Sequence, residues 1–208
     1  MEDMVEQKKY YAKVKSPWMQ LIVGHKVGAL MVHWVFQGLL YMDPTERWFK
    51  LGIDLVLTVV IGMLLGMWMP LPLALLIGLI VAHTVNFILN GQIYGVLKHF
   101  GSVQNSWEDF NQEVARLRER AVHEPYIEFA AIYGSVAREQ WSPTSDIDLR
   151  VVRVPGVNNA VRACWFGVYE RARAFWKGFP LDMLVLDRRE SLNRLAERNP
   201  VVLVDRTS

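Results

Sequence analysis

Two short groups of residues have types and spacings that suit phosphate and metal chemistry. Gly134 and Ser135 follow an apolar run, where a strand is predicted to end and a helix to begin. Backbone N–H groups and a hydroxyl at such a junction bind phosphate oxygens, and glycine permits the close approach. Asp146 and Asp148 lie two residues apart in an alternating, β-branched segment. Their side chains are therefore expected on one strand face, roughly 6.5 Å apart, where they repel each other unless a cation lies between them.

A third acid, Asp182, lies inside the apolar segment 181–186. An ionised carboxylate in such a strand is costly to bury unless it is compensated. A Mg²⁺ ion shared with substrate phosphates provides that compensation if the neighbouring strand carries the other two acids. Taken singly, each signal also has an ordinary structural explanation: a turn, solvated surface acids, or an ion pair of Asp182 with Arg150 or Arg153.

Several predicted elements position these residues. Ser106 and Asp109 have the spacing of a capping box, which begins an amphipathic helix ending near His123. Strands are predicted at 126–133, 146–154, 180–186 and 201–204, and helices at 158–177 and 190–198. This order indicates an α/β or α+β domain of about 110 residues. In the helix 158–177, the pattern predicts a core stripe and a solvated basic face; the stripe contains Trp165, Phe166, Tyr169, Phe175 and Trp176, and the basic face contains Arg162, Arg171 and Arg173.

The N-terminal half is more apolar and has fewer charged residues. Residues 55–97 are 43 consecutive positions without Asp, Glu, Lys or Arg. Residues 51–69 are long enough, at about 28 Å, to cross a hydrocarbon core as a helix. Pro70 and Pro72 end that helix, and a second apolar stretch runs to residue 97. The sequence therefore predicts an antiparallel transmembrane hairpin, and flanking Arg47, Lys50 and Lys98 place both ends on the cytoplasmic side.

Polar positions in this half leave alternatives open. Asp54 is expected to be an interfacial, solvated carboxylate near a helix end, although a functional intramembrane acid is the other interpretation. Residues 18–42 are predicted to lie in the membrane interface, with Lys26, His33 and Gln37 on one helix face, and a third spanning helix is the alternative. Small-xxx-small pairs suggest close helix contact or self-association, although glycine is common in membrane helices; the pairs are Gly24/Gly28, Gly62/Gly66 and Gly91/Gly95.

Composition excludes several classes of function. Residues 98–208 carry 16 basic and 15 acidic residues, so this part has no electrostatic footprint for nucleic acid. It is also too charged for a membrane domain. The single Cys164 excludes an intramolecular disulfide and a cysteine-built zinc site.

A family resemblance covers roughly residues 126–205, which is under half of the chain. Gly134-Ser135, a ten-residue gap and then Asp146-Ile147-Asp148 resemble the signature of the DNA polymerase β-type nucleotidyltransferase superfamily. The local sequence around these residues is most similar to that of the minimal nucleotidyltransferases, and Asp182 resembles the family's third acid. Two positions depart from the pattern: Glu139 stands where glycine is usual, and Val136 where a basic residue is frequent. Both leave less positive charge beside a bound triphosphate.

The resemblance implies roles for individual residues. Gly134 and Ser135 would hold the β- and γ-phosphates of a nucleoside triphosphate, with Arg138 helping to neutralise them. Asp146 and Asp148 would bind two Mg²⁺ or Mn²⁺ ions. Asp182 would bind the catalytic ion and help to activate an acceptor hydroxyl. The implied fold is a mixed sheet with flanking helices.

Together these features predict three segments: an interfacial region at 1–50, a transmembrane hairpin at 51–98 and a nucleotidyltransferase domain at 99–208. The expected function is metal-dependent transfer of a nucleoside monophosphate from an NTP to a hydroxyl acceptor, at the cytoplasmic face of the cell membrane. The bilayer and a membrane-associated acceptor are the expected partners, and a homo-oligomer is an added possibility. A weakly active nucleotide-binding scaffold, and a toxin–antitoxin enzyme that nucleotidylates a protein or tRNA, are the alternatives.

Overall fold

The structure is a computed structural model that describes residues 25–93, 104–194 and 200–206. Its elements in chain order are α1 (Lys26–Phe36), α2 (Pro44–Leu65), α3 (Leu71–Leu89), α4 (Trp107–His123), β1 (Ile127–Tyr133), the one-turn α5 (Gly134–Ala137), β2 (Ile147–Arg153), α6 (Val157–Trp176), β3 (Leu181–Leu186), a 3₁₀ helix (Arg189–Arg194) and β4 (Val201–Asp205). The architecture is thus a helical N-terminal part followed by a sheet with helices, which confirms the coarse fold prediction.

The four strands form one mixed sheet in the order β3-β2-β1-β4. Strand β1 pairs antiparallel with β2 and β4, whereas β2 and β3 are parallel. Each strand begins within one residue of its predicted start, because proline, glycine and charged residues bound short β-branched runs. The capping prediction is also confirmed, since the Ser106 side chain accepts a hydrogen bond from the Asp109 N–H at 3.0 Å.

Helices α4 and α6 cover one face of the sheet. The main core lies between them and the strands; its buried members include Phe110, Leu117, Ile132, Leu149, Phe166, Met183 and Val185. The opposite face carries a smaller apolar cluster around Phe129 and Val152. Because side chains alternate along a strand, Asp148 and Arg150 share that second face with Val152. The predicted acids therefore project from the side of the sheet that α4 and α6 leave uncovered.

Helices α2 and α3 pack against each other as an antiparallel hairpin broken at Pro70. Gly62 and Gly78 allow the contact: an added Cβ at Gly62 would lie 2.6 Å from Leu75, and one at Gly78 would lie 2.8 Å from the carbonyl oxygen of Thr58. Gly62 is thus used inside the hairpin, so it gives no support to self-association. By length and composition both helices are candidate membrane spans, which is weak evidence, because the core helix of a soluble protein meets the same criteria.

Helix α2 begins at Pro44, about two turns before the predicted start of the apolar helix. Asp54 consequently lies well inside the helix, and it is only 9% exposed. Its carboxylate binds the His83 ring nitrogen Nδ1 at 2.8 Å and accepts a hydrogen bond from Asn86 at 2.7 Å. The prediction of a solvated, interfacial Asp54 is therefore wrong, since two polar side chains of α3 compensate its burial.

The short helix α1 packs against α3. Trp34 donates a hydrogen bond to Thr84 at 3.2 Å, and the buried side chain of Gln37 donates to the carbonyl of His83 at 2.7 Å. Residues 1–24 lie outside the described part of the chain, as do residues 94–103. The predicted interfacial segment at 18–42 lies partly outside the described residues, and its described part forms the helix Lys26–Phe36.

Candidate active site

Three acids meet at the adjacent ends of β2 and β3. The parallel register pairs Asp148 with Asp182, and Asp146 directly precedes β2. The side chains of Asp148 and Asp182 keep 22% and 41% of their surface exposed, so a ligand can reach them. The condition under which a shared cation would compensate Asp182, that the acids lie on neighbouring strands, is met.

The glycine-serine turn lies directly against one of these acids. Gly134 follows β1, whose last residue Tyr133 pairs with Asp148. Gly134 has a φ of 75°, and an added Cβ would lie only 1.8 Å from the Asp148 carboxylate oxygen Oδ2. Only glycine can therefore occupy this position without displacing the carboxylate.

The Ser135 hydroxyl Oγ is buried and has no hydrogen-bond partner in the described part of the chain. A buried polar group without a partner is unusual and costly, and a phosphate oxygen is one group that would satisfy it. The Ser135 carbonyl accepts from Gln140 N–H at 2.8 Å, and Arg138 N–H donates to Gly134 O at 3.3 Å. Glu139, the residue that replaces the usual glycine, adopts a positive φ of 56°. The chain therefore keeps a left-handed turn there despite the substitution.

Arg150 is the main feature of the site that the sequence did not assign to it. Its guanidinium Nη2 donates to Asp182 Oδ2 at 2.9 Å and to Asp148 Oδ1 at 3.4 Å. The sequence offered Arg150 only as an alternative partner that would explain Asp182 without a metal. Its place two residues after Asp148 on the same strand puts it on the same face, and that spacing was the available signal.

The three acids and Arg150 determine the protonation of the site. Burial raises the pKa of Asp148 to about 7, and the negative charges of Asp146 and Asp182 add to the effect. Burial also acts to raise the pKa of Asp182, but the Arg150 guanidinium outweighs it and holds that pKa below its ordinary value. Of these two acids, Asp148 is therefore the one whose ionisation is disfavoured in the folded chain.

We tested the fit of a divalent metal ion to these residues. Within the described ranges, no group of three His, Cys, Asp or Glu side chains is arranged to hold a metal ion. Asp146 and Asp148 nevertheless supply the oxygen ligands that Mg²⁺ prefers. The pKa of Asp148 is raised first by burial and then by the negative charges of Asp146 and Asp182, and a bound cation would oppose both effects. The residues present thus fit a divalent ion bound by the two acids of β2.

The base of the hairpin supports the strand that carries Asp182. Strand β3 is an edge strand, and Glu46 of α2 accepts a hydrogen bond from its Val185 N–H at 2.8 Å. Glu46 also forms a buried ion pair with Arg171 of α6. Arg171 in turn donates to the carbonyl of Met183 at 2.6 Å and to the Asn90 side chain at 3.2 Å. Helix α2 is therefore packed into the sheet domain rather than merely attached to it.

A second contact joins the same two parts. The Asp43 carboxylate accepts from Asp187 N–H at 2.9 Å and from the Ser191 hydroxyl at 2.6 Å. Asp187 accepts from the backbone N–H of Thr45 at 3.3 Å and from Arg153 at 2.9 Å. The end of β3 and the start of α2 thus cap each other, across the boundary predicted at residues 50/51.

The predicted orientation of α6 needs correction. Arg171, expected on a solvated face, is 2% exposed, because Glu46 and Asn90 bind it. Trp165 and Trp176, expected in the core, are 54% and 79% exposed. Tyr169 is also exposed, whereas Phe166 is buried as predicted. Helix α6 therefore turns an aromatic face outward and an arginine inward.

Comparison with protein families places the site in a known class. Residues 114–197, less than half of the chain, match the family model described as a nucleotidyltransferase domain. This segment contains the glycine-serine turn and all three acids, and it is similar to a nucleotidyltransferase domain. Comparison with curated proteins and with solved structures found no match. The domain match implies NMP transfer from an NTP, in a family that generally uses divalent metal ions.

Proposed function

We propose that the chain is a membrane-anchored, divalent-metal-dependent nucleotidyltransferase that moves a nucleoside monophosphate from an NTP to a hydroxyl acceptor. The observation that carries this proposal is the position of Gly134 against the Asp148 carboxylate, with the unpartnered Ser135 hydroxyl beside it. A phosphate-binding turn and a metal-binding acid are thereby brought into one site. The family match supplies the reaction class.

Each residue has a role in the proposed mechanism. The backbone at Gly134 and the Ser135 hydroxyl hold the terminal phosphates of the NTP, and Arg138 adds positive charge. Asp146 and Asp148 hold Mg²⁺ or Mn²⁺, and Asp182 lies beside Asp148 on the neighbouring strand. When bound, the metal supplies positive charge that stabilises the phosphates and lowers the pKa of the acceptor hydroxyl.

The chain's own contribution to the reaction is positioning and charge neutralisation. The acceptor oxygen forms a bond to the α-phosphorus, and the bond to the bridging oxygen breaks, so that pyrophosphate leaves. The hydroxyl proton passes to a carboxylate of the site or to water. Because the turn after β1 fixes the terminal phosphates next to Asp148, the α-phosphorus is held near the acids.

Three features support the membrane location. Helices α2 and α3 have the length and hydropathy of spanning helices. Large apolar side chains point outward over much of the hairpin, with Leu55, Met63, Leu64, Met67, Trp68 and Leu76 all more than half exposed. At its base, the exposed Trp165 of α6 lies edge-on to Phe49 at 5.4 Å, next to the exposed Trp48. Tryptophan at such a level is typical of a membrane–water interface.

The activity is tested with the full chain in detergent or nanodiscs. It is incubated with α-labelled NTPs, Mg²⁺ or Mn²⁺, and membrane extract. We expect a labelled product that disappears in Asp146→Asn and Asp148→Asn but persists in Asp205→Asn, a matched change on β4 outside the site. Equal labelling by all four proteins would refute the assignment.

The membrane anchor is tested separately. Alkaline carbonate should leave the full chain in the membrane pellet, and protease added to intact cells from outside should spare residues 104–206. Release by carbonate would show that α2 and α3 are not spanning helices.

A second candidate function is a nucleotide-binding scaffold with little turnover. The observation in its favour is Arg150, which binds two of the acids that would otherwise hold a metal. Tight NTP binding without any labelled product, under conditions in which Mn²⁺ binds, would favour the scaffold over the enzyme.

A further inference from the structure

Arg150 is fixed in place by several hydrogen bonds. The residue is 8% exposed. Its Nη1 donates to the carbonyl oxygens of Leu149 at 3.1 Å and Asp182 at 3.0 Å, and its Nη2 donates to the Asp182 carboxylate at 2.9 Å. Three bonds of ordinary length thus attach the guanidinium to β2 and β3, and two of them go to the backbone.

The contact with the other acid is weaker. Nη2 lies 3.4 Å from Asp148 Oδ1, half an ångström farther than from Asp182. The Asp148 oxygen Oδ2 faces Gly134 instead. The arginine therefore binds Asp182 through both its side chain and its backbone and contacts Asp148 more weakly, and the two carboxylates also contact each other.

The charges of the site favour the same assignment, with the arginine at Asp182 and the cation at Asp148. The Arg150 guanidinium offsets part of the negative charge of the three carboxylates, with Arg171 adding positive charge on the side of Asp182, and a divalent ion offsets the remainder. A second divalent ion on the protein alone would place excess positive charge against Arg150. Moving the arginine away would remove a donor from two backbone carbonyls and from the Asp182 carboxylate, and the buried guanidinium would lose these three hydrogen bonds, which is costly.

We infer that Arg150 permanently neutralises Asp182, so that the divalent ion binds through Asp146 and Asp148 and Asp182 is not one of its ligands. This inference rests on the proposed function, because it takes for granted that the acids of β2 bind a metal. It makes Arg150 a positioning residue that supplies from within the protein a charge that would otherwise come from a metal ion.

The test is a Mn²⁺ titration of the full chain in detergent without nucleotide, followed by the EPR signal of free Mn²⁺. We expect one bound Mn²⁺ per wild-type chain and a loss of at least tenfold in affinity in Asp148→Asn. The decisive protein is the double variant Arg150→Gln/Asp182→Asn. It keeps the net charge of the site and both acids of β2, so its Mn²⁺ affinity should stay within threefold of the wild type.

If Asp182 is a ligand, the double variant should lose Mn²⁺ affinity as severely as Asp148→Asn, and that result would overturn the inference. Two Mn²⁺ ions on the wild-type chain would overturn it as well. Circular dichroism checks that each variant is folded. The double variant removes both partners of one ion pair, so it leaves no unpaired charge behind.

Two single variants provide an independent measurement. Arg150→Gln leaves Asp182 charged and free, so we expect at least tenfold tighter Mn²⁺ binding or a second bound ion. Arg150→Lys keeps the positive charge and should bind one ion, as the wild type does. Unchanged Mn²⁺ binding in a folded Arg150→Gln variant would contradict the inference.

The outcomes separate this inference from the proposed function. A wild-type chain that binds no Mn²⁺ would overturn both the metal-dependent function and the role of Arg150. A wild-type chain that binds Mn²⁺, beside a folded double variant that does not, would overturn the role of Arg150 alone.

Discussion

Replacing Gly134 by alanine tests the central contact of the candidate site. The substitution has two separable effects. A non-glycine residue at a φ of 75° costs about 1–2 kcal/mol. In addition, the new Cβ would lie 1.8 Å from Asp148 Oδ2 and 2.8 Å from its carboxyl carbon. Real contacts of this kind are 3.0 Å or longer, so the carboxylate must move by roughly 1 Å, a displacement that costs on the order of 100-fold in a positioned reaction.

The chain contains a matched control for the backbone effect. Gly178 has a φ of 70°, and an added Cβ there meets no atom within 4 Å. Gly178→Ala therefore pays a similar conformational cost without touching the site. Both variants should lower the thermal midpoint by about 2–4 °C per kcal/mol, as is usual for a chain of this length.

The two variants should differ in chemistry. Gly134→Ala is expected to reduce NMP transfer and Mn²⁺ affinity about 100-fold, whereas Gly178→Ala leaves both close to the wild type. Thermal unfolding by circular dichroism, labelled-NTP transfer and Mn²⁺ titration give the three readouts. Equal transfer activity in the two variants would refute the reasoning, because the alanine methyl would then not displace Asp148.

Three further predictions concern the surroundings of the site. Glu46→Gln breaks the buried ion pair with Arg171 and should lower the free energy of unfolding by about 3–5 kcal/mol, seen as a lower thermal midpoint. The double variant Glu46→Gln/Arg171→Met should recover part of that loss. A Glu46→Gln chain as stable as the wild type would contradict the role of the pair. Ser135→Ala removes a buried hydroxyl without a partner in the described structure, so the thermal midpoint should rise or at least not fall. The NTP affinity, measured by calorimetry, should fall about fivefold, the value of one hydrogen bond; an unchanged affinity would exclude the hydroxyl from phosphate binding. Burial acts to raise the pKa of Asp187, but hydrogen bonds from Thr45 and Arg153 outweigh it and hold that pKa below its ordinary value. These hydrogen bonds therefore stabilise the fold at neutral pH, and their contribution is lost as the pH falls below about 4. In Asp187→Asn, the thermal midpoint should depend less on pH in that range, and an unaltered acid profile would show that Asp187 does not contribute.

The sheet and the acids could be predicted from sequence because local signals determine them. Short β-branched runs between proline, glycine and charged residues placed every strand within one residue of its observed start. The observed register of β2 with β1 and β3 then brings Gly134, Asp148 and Asp182 together.

The unpredicted features all depend on partners distant in sequence. The pattern of its own helix predicts Arg171 to be solvated. It is buried because it pairs with Glu46, which lies 125 positions away in the chain. The start of α2 at Pro44 was not predicted, because Glu46, Arg47 and Lys50 lower the hydropathy of its first turns. A charged first turn indicates solvent exposure, unless the other half of the protein supplies the counter-charges. Asp54 was misplaced along the helix as a consequence.

The way α2 covers the edge of β3 determines how the sheet domain can be handled in isolation. A chain that starts at residue 99 contains the whole sheet but lacks Asp43 and Glu46. The N–H groups of Val185 and Asp187 would then lose their acceptors along an open edge strand. Open edges recruit strands from other molecules, so the shortened domain should form aggregates even where the full 208-residue chain stays dispersed in detergent. Helix α2 in this sense protects the edge strand of the sheet against self-association.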